Sequence, residues 1–413
     1  MTKKRIIFNI GLIFLLIGSF FFLRLYKIEE RVNFSMDQGI FLLKSWDIYQ
    51  NKEITLIGPT ASPIVHGHQF FQGPLIYYSL ILVMLMSNWN VIVASYFLVF
   101  FNFLALIFLY LSTKRILNKK IAIITSVIFV FLPISINFSN FLWNPNFLLI
   151  LTPIFIFLGS KALIEKKWWY LIWGIFGGIC FQFHFQFVLI LFFAFLFLIF
   201  KKQEIKNILL FPVGALIGYS PLLIFDLRNN FYNITTIIEW FRFGGDEKIA
   251  TPIYYFLSFV PFLCMGLAWL INKIKNKLIL ILLLIGLVGY SFYIKINQKE
   301  ALGMPNGWSY VLQQETIKKI LENGCPNNFN VASTNSGDTR AYDLRFLLTA
   351  KSCPPMGVED YPKAEKLFLI APTDRPLETE TVWEVSSLGK FKINQKIEIS
   401  KNIIFYELEK IKN

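Results

Sequence analysis

Lys114-Arg115-Ile116-Leu117-Asn118-Lys119-Lys120 runs directly into Ile121-Ala122-Ile123-Ile124-Thr125-Ser126-Val127-Ile128-Phe129-Val130-Phe131-Leu132, so a basic cluster abuts an uninterrupted apolar stretch. Apolar runs of the same kind recur at Phe187 to Phe200 and at Leu278 to Tyr290. The chain is 55% hydrophobic over 413 residues, with a mean hydropathy of +0.54. Ordinary soluble domains hold roughly 45–50% apolar residues. Here the excess is gathered into long runs, which favours a bilayer over a large soluble core. A helix needs roughly 20 mainly apolar residues to cross the hydrocarbon layer, and several windows reach that length once their flanks are included.

The pattern predicts nine membrane helices, near 6–25, 91–111, 121–139, 147–163, 168–183, 187–200, 208–225, 252–271 and 278–294. The run at 187–200 is short and draws on neighbours such as Phe183 and Phe185. The apolar start at Ile6 to Leu23 reads as an uncleaved first helix rather than a signal peptide, because no small-x-small site precedes Arg24. Leu75 to Met86, about 12 residues, is too short to cross and reads as a helix in the outer interface.

Charge sets the sidedness. With the N-terminus inside, the inner loops carry Lys3, Lys4 and Arg5; Lys114, Arg115, Lys119 and Lys120; Lys161, Lys166 and Lys167; Lys201, Lys202 and Lys206; and Lys273, Lys275 and Lys277. Those 16 basic residues face only two acids, Glu165 and Glu204, as expected of cytoplasmic loops. The net charge of +14 is therefore topological and does not point to nucleic acid, since residues 295–413 hold 16 Lys/Arg against 15 Asp/Glu. The expected localisation is a cell membrane, multi-pass, with a cytoplasmic N-terminus. The division expected is a membrane domain at 1–294, whose first outer loop spans 26–90, and an extracytoplasmic α/β domain at 295–413. That tail carries strand-like runs at Phe329 to Ala332, Leu367 to Ala371 and Ile403 to Leu408, and a helix at Gln313 to Glu322. Cys325 and Cys353 would close a disulfide ring worth about 3 kcal/mol in an oxidising space; two buried thiols are the alternative. Cys180 and Cys264 lie in apolar runs and read as packing residues.

Polar residues gather at the outer level. They are Asp37-Gln38 and Lys44 in the first outer loop, then His66 and His68, Trp143-Asn144, His184, and Asp226 with Arg228; Arg242 lies in a later outer loop. Singly, each has an ordinary reading: Asp37 as a helix cap, Trp143 as interfacial belt, Asp226 with Arg228 as a salt bridge. Together, at span ends where unpartnered polar groups are costly, they suggest a shared cavity. Sugar transfer from a polyprenyl phosphate needs a base for the acceptor's proton, cations for the departing phosphate, and amides and aromatics for the sugar. The chain has no Walker pattern or nucleotide-binding glycine loop, so a lipid-borne donor is the more natural reading.

Met36-Asp37-Gln38-Gly39 follows the first span, and Gln72-Gly73-Pro74-Leu75-Ile76-Tyr77-Tyr78 opens a short helix. Tyr110-Leu111-Ser112-Thr113-Lys114-Arg115, Trp143-Asn144-Pro145 and Pro221-Leu222-Leu223-Ile224-Phe225-Asp226-Leu227-Arg228 come after them in order. Over roughly residues 1–230 these features resemble the GT-C glycosyltransferases, in the branch of protein O-mannosyltransferases and lipid A aminoarabinose transferases. The resemblance implies a GT-C fold, a polyprenyl-phosphate sugar donor, and a catalytic base at Asp37. Gln38 stands where the family usually has a second acid, and the acidic motif of metal-dependent relatives is missing at 140–146. A metal-free inverting transfer to a cell-envelope acceptor is therefore expected, with no cofactor. Arg228, Lys44 and Arg242 would bind the donor phosphate, and Gln38, His66, His68, Trp143, Asn144, His184 and Asp226 the sugar or acceptor. The competing readings are a flippase or transporter, a non-catalytic membrane scaffold, and an oligosaccharide ligase or polymerase.

Overall fold

The computed structural model of the chain describes residues 3–165, 168–246, 253–335, 337–375, 377 and 380–411; Lys166 and Lys167 of the inner loops fall outside them. In chain order the helices are α1 (Lys3–Leu25), α2 (Ile28–Arg31), α3 (Met36–Asn51), α4 (Leu75–Met86), α5 (Val91–Ile116), α6 (Lys119–Phe131) and α7 (Pro133–Asn137). They continue as α8 (Asn144–Glu165), α9 (Trp168–Phe183), α10 (Phe187–Phe200), α11 (Ile205–Gly218), α12 (Ser220–Arg228) and α13 (Tyr232–Phe243). After a 3-10 stretch at Ile253–Phe259 come α14 (Val260–Asn272) and α15 (Lys277–Asn297). The tail holds α16 (Tyr310–Ile320), α17 (Tyr342–Thr349), α18 (Trp383–Ser386) and four strands.

Among the described residues, four helical stretches are long and apolar enough to cross a membrane: Val91–Ile116, Asn144–Glu165, Ile253–Asn272 and Leu278–Asn297. The pair α11 and α12, bent by 66°, makes a fifth if counted as one broken crossing. Ile10–Leu25, Trp168–Phe183 and Phe187–Phe200 are shorter apolar helices, as is Leu75–Met86. Helix thus stands at each of the nine expected positions, while length and composition alone vouch for four or five crossings. The stretch 121–139 is not one helix. Leu132 takes extended angles (φ −72°, ψ 121°) and Pro133 starts α7, because the residue before a proline is pushed out of the helical region.

The chain divides into two compact units. One comprises Met1–Tyr26, Asn51–Val83 and Val93–Asn297; the other comprises Lys27–Gln50, Met84–Ile92 and Gln298–Asn413.

In the first unit the break at Leu132 leaves carbonyls of α6 without helical partners, a costly state away from water. Arg24, wholly buried at the end of α1, supplies them. Its Nη1 donates to Val130 O at 3.1 Å, and its Nη2 to Phe129 O at 3.3 Å and Ser135 Oγ at 3.0 Å. The Ser291 hydroxyl of α15 donates to the next carbonyl, Phe131 O. A second device joins α9 to α11. Gly174 and Gly178 face Gly214 and Gly218, and a Cβ at Gly174 would lie 2.0 Å from Phe211 O, one at Gly218 2.0 Å from Ile175 O. Only glycine lets the two backbones approach this closely, the small-xxx-small arrangement of membrane helix pairs.

In the second unit, β1 (Phe329–Ser333), β2 (Lys366–Pro372), β3 (Phe391–Ser400) and β4 (Ile403–Lys410) form one sheet in the order β1-β2-β4-β3. β1 is parallel to β2, with α17 in the crossover, and the other pairs are antiparallel. Leu367, Leu369, Tyr406 and Leu408 build the core with Tyr361 and Leu388. β3 lies at the sheet edge, and its polar alternation hides it from a search for apolar runs. The buried Arg345 fills all three of its nitrogens, among them Nη1 to Met356 O at 2.6 Å and Nη2 to Tyr361 OH at 2.8 Å. Cys325 is disulfide-bonded to Cys353 with their Cα atoms 5.6 Å apart, and Cys180 and Cys264 are free and buried.

The first-loop helix α3 is part of this second unit. Gln313 of α16 donates through Nε2 both to Phe34 O and to Asp343 Oδ2, each at 2.7 Å. A Cβ on Gly39 would lie 2.4 Å from the Tyr342 carbonyl, so α3 and the start of α17 touch backbone to backbone. Trp46 packs edge-on against Trp89 at 4.5 Å, tying in the segment between α4 and α5.

Replacing Arg24 by Met leaves the Phe129 and Val130 carbonyls buried and unpaired. It should lower the thermal unfolding midpoint of the detergent-solubilised protein, a loss on the order of 3 kcal/mol; an unchanged midpoint would remove Arg24 from this role. Replacing Cys325 and Cys353 together by Ser should cost the tail about 3 kcal/mol, as expected for a loop of this length, read by limited proteolysis of the intact protein with and without reductant.

Candidate functional site

In the first unit, residues 58–72 fold into an antiparallel ribbon. Gly58 N donates to Gln72 O, Ala61 N to Phe70 O, and Gln72 N to Pro59 O. Its tip is a two-residue turn at His66 (φ 50°) and Gly67 (φ 76°), closed by paired bonds between Val65 and His68. Positive φ at both central residues is the hairpin geometry for which glycine is suited. The Asp246 carboxylate accepts the His66 and Gly67 amides, each at 2.9 Å. Those two bonds hold its pKa below the ordinary carboxylate value.

The polar residues expected along the outer face of this unit are engaged mainly by other groups of the protein. Asn144, at the start of α8, donates to Gln72 Oε1 at 2.7 Å and to Phe183 O at 3.0 Å, and is buried. Gly73 N donates to Gln182 O, and Gln182 Nε2 reaches Gly218 O at 2.6 Å. Asn144 is thus a staple between the ribbon and the α9–α10 turn, with both amide protons engaged. His184 is buried against Phe185 and Tyr255; burial pushes its pKa well below the ordinary histidine value, so it is a neutral ring and not a phosphate-binding cation. Trp143 stacks on Phe141 and meets Tyr254 edge-on at 4.4 Å. His66 and His68 are exposed, edge-on to Phe243 and Tyr232.

Asp226 makes no salt bridge with Arg228 among the described residues. It is buried and accepts the Asn233 amide at 2.7 Å, serving the N-terminus of α13. Asn233 in turn clamps Phe71 of the ribbon through both its amide atoms, at 2.6 and 2.9 Å. This role for Asn233, and that of Asp246, were not read from the sequence, since each partner is far along the chain. Arg228 and Arg242 are exposed and form no ion pair among the described residues, which leaves both guanidinium groups available for an anion.

Asp37, Gln38 and Lys44 lie on α3, in the second unit. Asp37 is in the first turn and partly exposed. Gln38 is buried, and its Oε1 accepts both the amide and the hydroxyl of Ser35, at 2.9 and 2.8 Å. It closes the helix start in the manner of a capping box, so its amide oxygen is engaged within α3. Lys44 is exposed. Beside Ser35 and Met36 lies a cleft of about 730 Å³, bounded otherwise by the tail.

Residues 71–225 match the family model described as dolichyl-phosphate-mannose-protein mannosyltransferase. No curated protein matches the sequence. The fold is that of ArnT from Cupriavidus metallidurans. The structure of that protein bound to undecaprenyl phosphate superposes with a TM-score of 0.62 at 9% identity, covering 96% of this chain and 98% of that one. Its apo state gives 0.56 at 10% identity, covering 97% and 98%. The Archaeoglobus fulgidus oligosaccharyltransferase in complex with zinc and sulfate is more distant, with a TM-score of 0.47 at 11% identity over 87% of this chain and 67% of that one. The chain thus resembles the GT-C glycosyltransferases through a family model in its membrane part and through its fold over nearly its whole length. It is a multi-pass membrane protein.

Two outcomes follow from the geometry. Replacing Asn144 by Ala should cost on the order of 2 kcal/mol of stability by leaving Gln72 and the Phe183 carbonyl short of a donor; thermal unfolding reads it. Asp246 has a depressed pKa, so its hold on the ribbon tip is full above the ordinary value of 3.8 and is lost as pH falls through the folded value below that. The protection of the His66 and Gly67 amides, measured as exchange relative to the intrinsic rate at each pH, should fall only on acidification past that point, and should be low at every pH once Asp246 is replaced by Ala.

Proposed function

We propose that the chain is an inverting glycosyltransferase that moves a sugar from a polyprenyl-phosphate donor to a cell-envelope acceptor at the outer face of the membrane. The observation that carries the reading is the ArnT fold over nearly the whole chain, joined to the mannosyltransferase family match. Undecaprenyl phosphate bound to the ArnT relative supports a lipid-linked donor here. In the proposed topology nine helices cross, the N-terminus is cytoplasmic, and α3, the ribbon and the tail are extracytoplasmic. The tail disulfide agrees with that side, since such bonds persist in oxidising spaces.

The chemistry is a single displacement. Asp37 takes the proton of an acceptor hydroxyl, the oxygen attacks the anomeric carbon, and the bond from that carbon to the carrier phosphate breaks with inversion. The departing polyprenyl phosphate is held by the exposed cations Arg228 and Arg242, with Lys44 a third candidate. His66, His68 and Trp143 remain candidates for sugar contact. Gln38, Asn144, His184 and Asp226 are not assigned a ligand contact, because each is buried. No step is routed through a metal.

Purified protein incubated with a panel of polyprenyl-phosphate sugars should release the carrier phosphate only when acceptor is present, and chelation should leave the rate unchanged. Asp37→Asn should reduce turnover by at least about a hundredfold, the usual contribution of a general base, in a protein that still folds. Full turnover in Asp37→Asn would take the base role away from that residue, and movement of intact donor across vesicles without carrier release would replace the transferase with a transporter.

A further inference from the structure

The first unit holds a cavity of about 430 Å³ among α8, α9, α10 and α14, with Ile116, the last residue of α5, also in its wall. Ser160 and Trp173 line it together with the rings of Phe193, Phe197 and Phe262. Among the described residues no charged side chain lines it, and the Ser160 hydroxyl donates to Phe157 O at 2.7 Å. Ile116, Phe193, Phe197 and Phe262 are exposed, so the cavity opens at the surface of the helices. Asn144 and Ser160 stand toward opposite ends of α8, about 24 Å apart at helical rise, so the cavity reaches the end of α8 away from the Asn144 staple.

Cations stand beside this apolar wall. Arg115 directly precedes Ile116, and its guanidinium lies over the Phe157 ring of α8 at 4.7 Å. Lys201 lies over the lining ring of Phe197 at 5.7 Å, and Lys273 over Trp269, one turn beyond the lining Met265, at 3.4 Å. All three cations are exposed and form no ion pair among the described residues. Contact with a ring face still leaves N–H donors for a phosphate. Lys161, next to Ser160, is paired instead with Glu165 at 3.7 Å. A hydrocarbon-lined space with basic groups at its edge fits a lipid whose head is anionic. We infer that this cavity holds an acyl chain of an anionic phospholipid of the bilayer, with its phosphate on Arg115 and Lys201. A polyprenyl phosphate answers the site less well. The transferase reading places its one phosphate at the other end of the unit, so only hydrocarbon would arrive here and the cations would stay unmatched. That choice between the two lipids rests on the transferase reading; the demand for an anionic head does not.

Trp173 in the cavity wall gives the test its reporter. Full-length protein is placed in phosphatidylcholine nanodiscs containing a minor fraction of phosphatidylglycerol or phosphatidylcholine with brominated acyl chains, which quench indole fluorescence on contact. The Trp173 signal is the difference between the unmodified protein and Trp173→Phe. Brominated phosphatidylglycerol should quench it at a mole fraction at least about tenfold lower than brominated phosphatidylcholine does, the preference that two cations near a lipid head supply. Arg115→Gln with Lys201→Gln, both at exposed positions, should erase that preference without changing the thermal unfolding midpoint in phosphatidylcholine. Ala194→Phe, which fills the cavity from α10, should reduce quenching by both lipids. Unbrominated undecaprenyl phosphate should not displace the brominated phosphatidylglycerol. Equal quenching by the two brominated lipids, a preference that survives the double substitution, quenching unchanged in Ala194→Phe, or displacement by undecaprenyl phosphate would overturn the inference. A protein that shows the preference yet consumes no lipid-linked sugar keeps the anionic-lipid site and loses the transferase reading.

Discussion

Away from water, a helix that stops must hand its last carbonyls to another donor, and the first unit is arranged around one such handover. Pro133 ends α6 in the middle of an apolar stretch, and the guanidinium of Arg24 crosses from α1 to take two of the stranded carbonyls, while Ser291 takes a third. An unpaired buried cation and unpaired carbonyls are each unfavourable; together they satisfy one another. The same contact fixes where α1, α6 and α15 stand, and the Asn140 side chain donates to the Arg24 carbonyl to bring in the next turn. The chain that follows, from Asn144 onward, starts from this fixed point.

The polar segments around the ribbon obey the same rule with neutral partners. Asn144, Gln72, Gln182 and Asn233 are hydrogen-bonded across segments distant in sequence. These bonds tie the ribbon to α8 and α13 and α9 to α11, while Arg228, Arg242, His66 and His68 stay exposed. In the tail, Arg345 and Gln313 do corresponding work, one inside the α/β core and the other joining that core to the α3 segment.

The helices of the first unit were legible because apolar runs are local signals, and a separate 12-residue helix stands at Leu75–Met86 as its run implied. The tail strands that are apolar throughout were legible for the same reason. β3 was not, since half its residues face water at a sheet edge. The break at Leu132 was signalled by Pro133, yet an apolar count over 121–139 passes straight across it. At the site, residue type pointed to polar gathering but not to its internal accounting. Asp226-Leu227-Arg228 looks like an ion pair in sequence, whereas the structure buries the acid under α13 and turns the base outward. Gln38, Asn144 and His184 carry groups suited to a sugar, and only burial shows that these groups are occupied or neutral. The tail's Asp343 lies about three hundred residues from Ser35, a pairing that only the folded chain displays.

The glycine-lined contact between α9 and α11 joins helices that are separated in sequence by the 14-residue α10. During biosynthesis α9 cannot find its closest neighbour until the ribosome has moved well beyond Phe200. Neither α9 nor α10 is long enough to be a comfortable solitary passenger in the bilayer. The three helices are therefore expected to leave the translocon as one package, and a ribosome stalled between α10 and α11 would hold a nascent chain whose first two members slip back toward the aqueous channel.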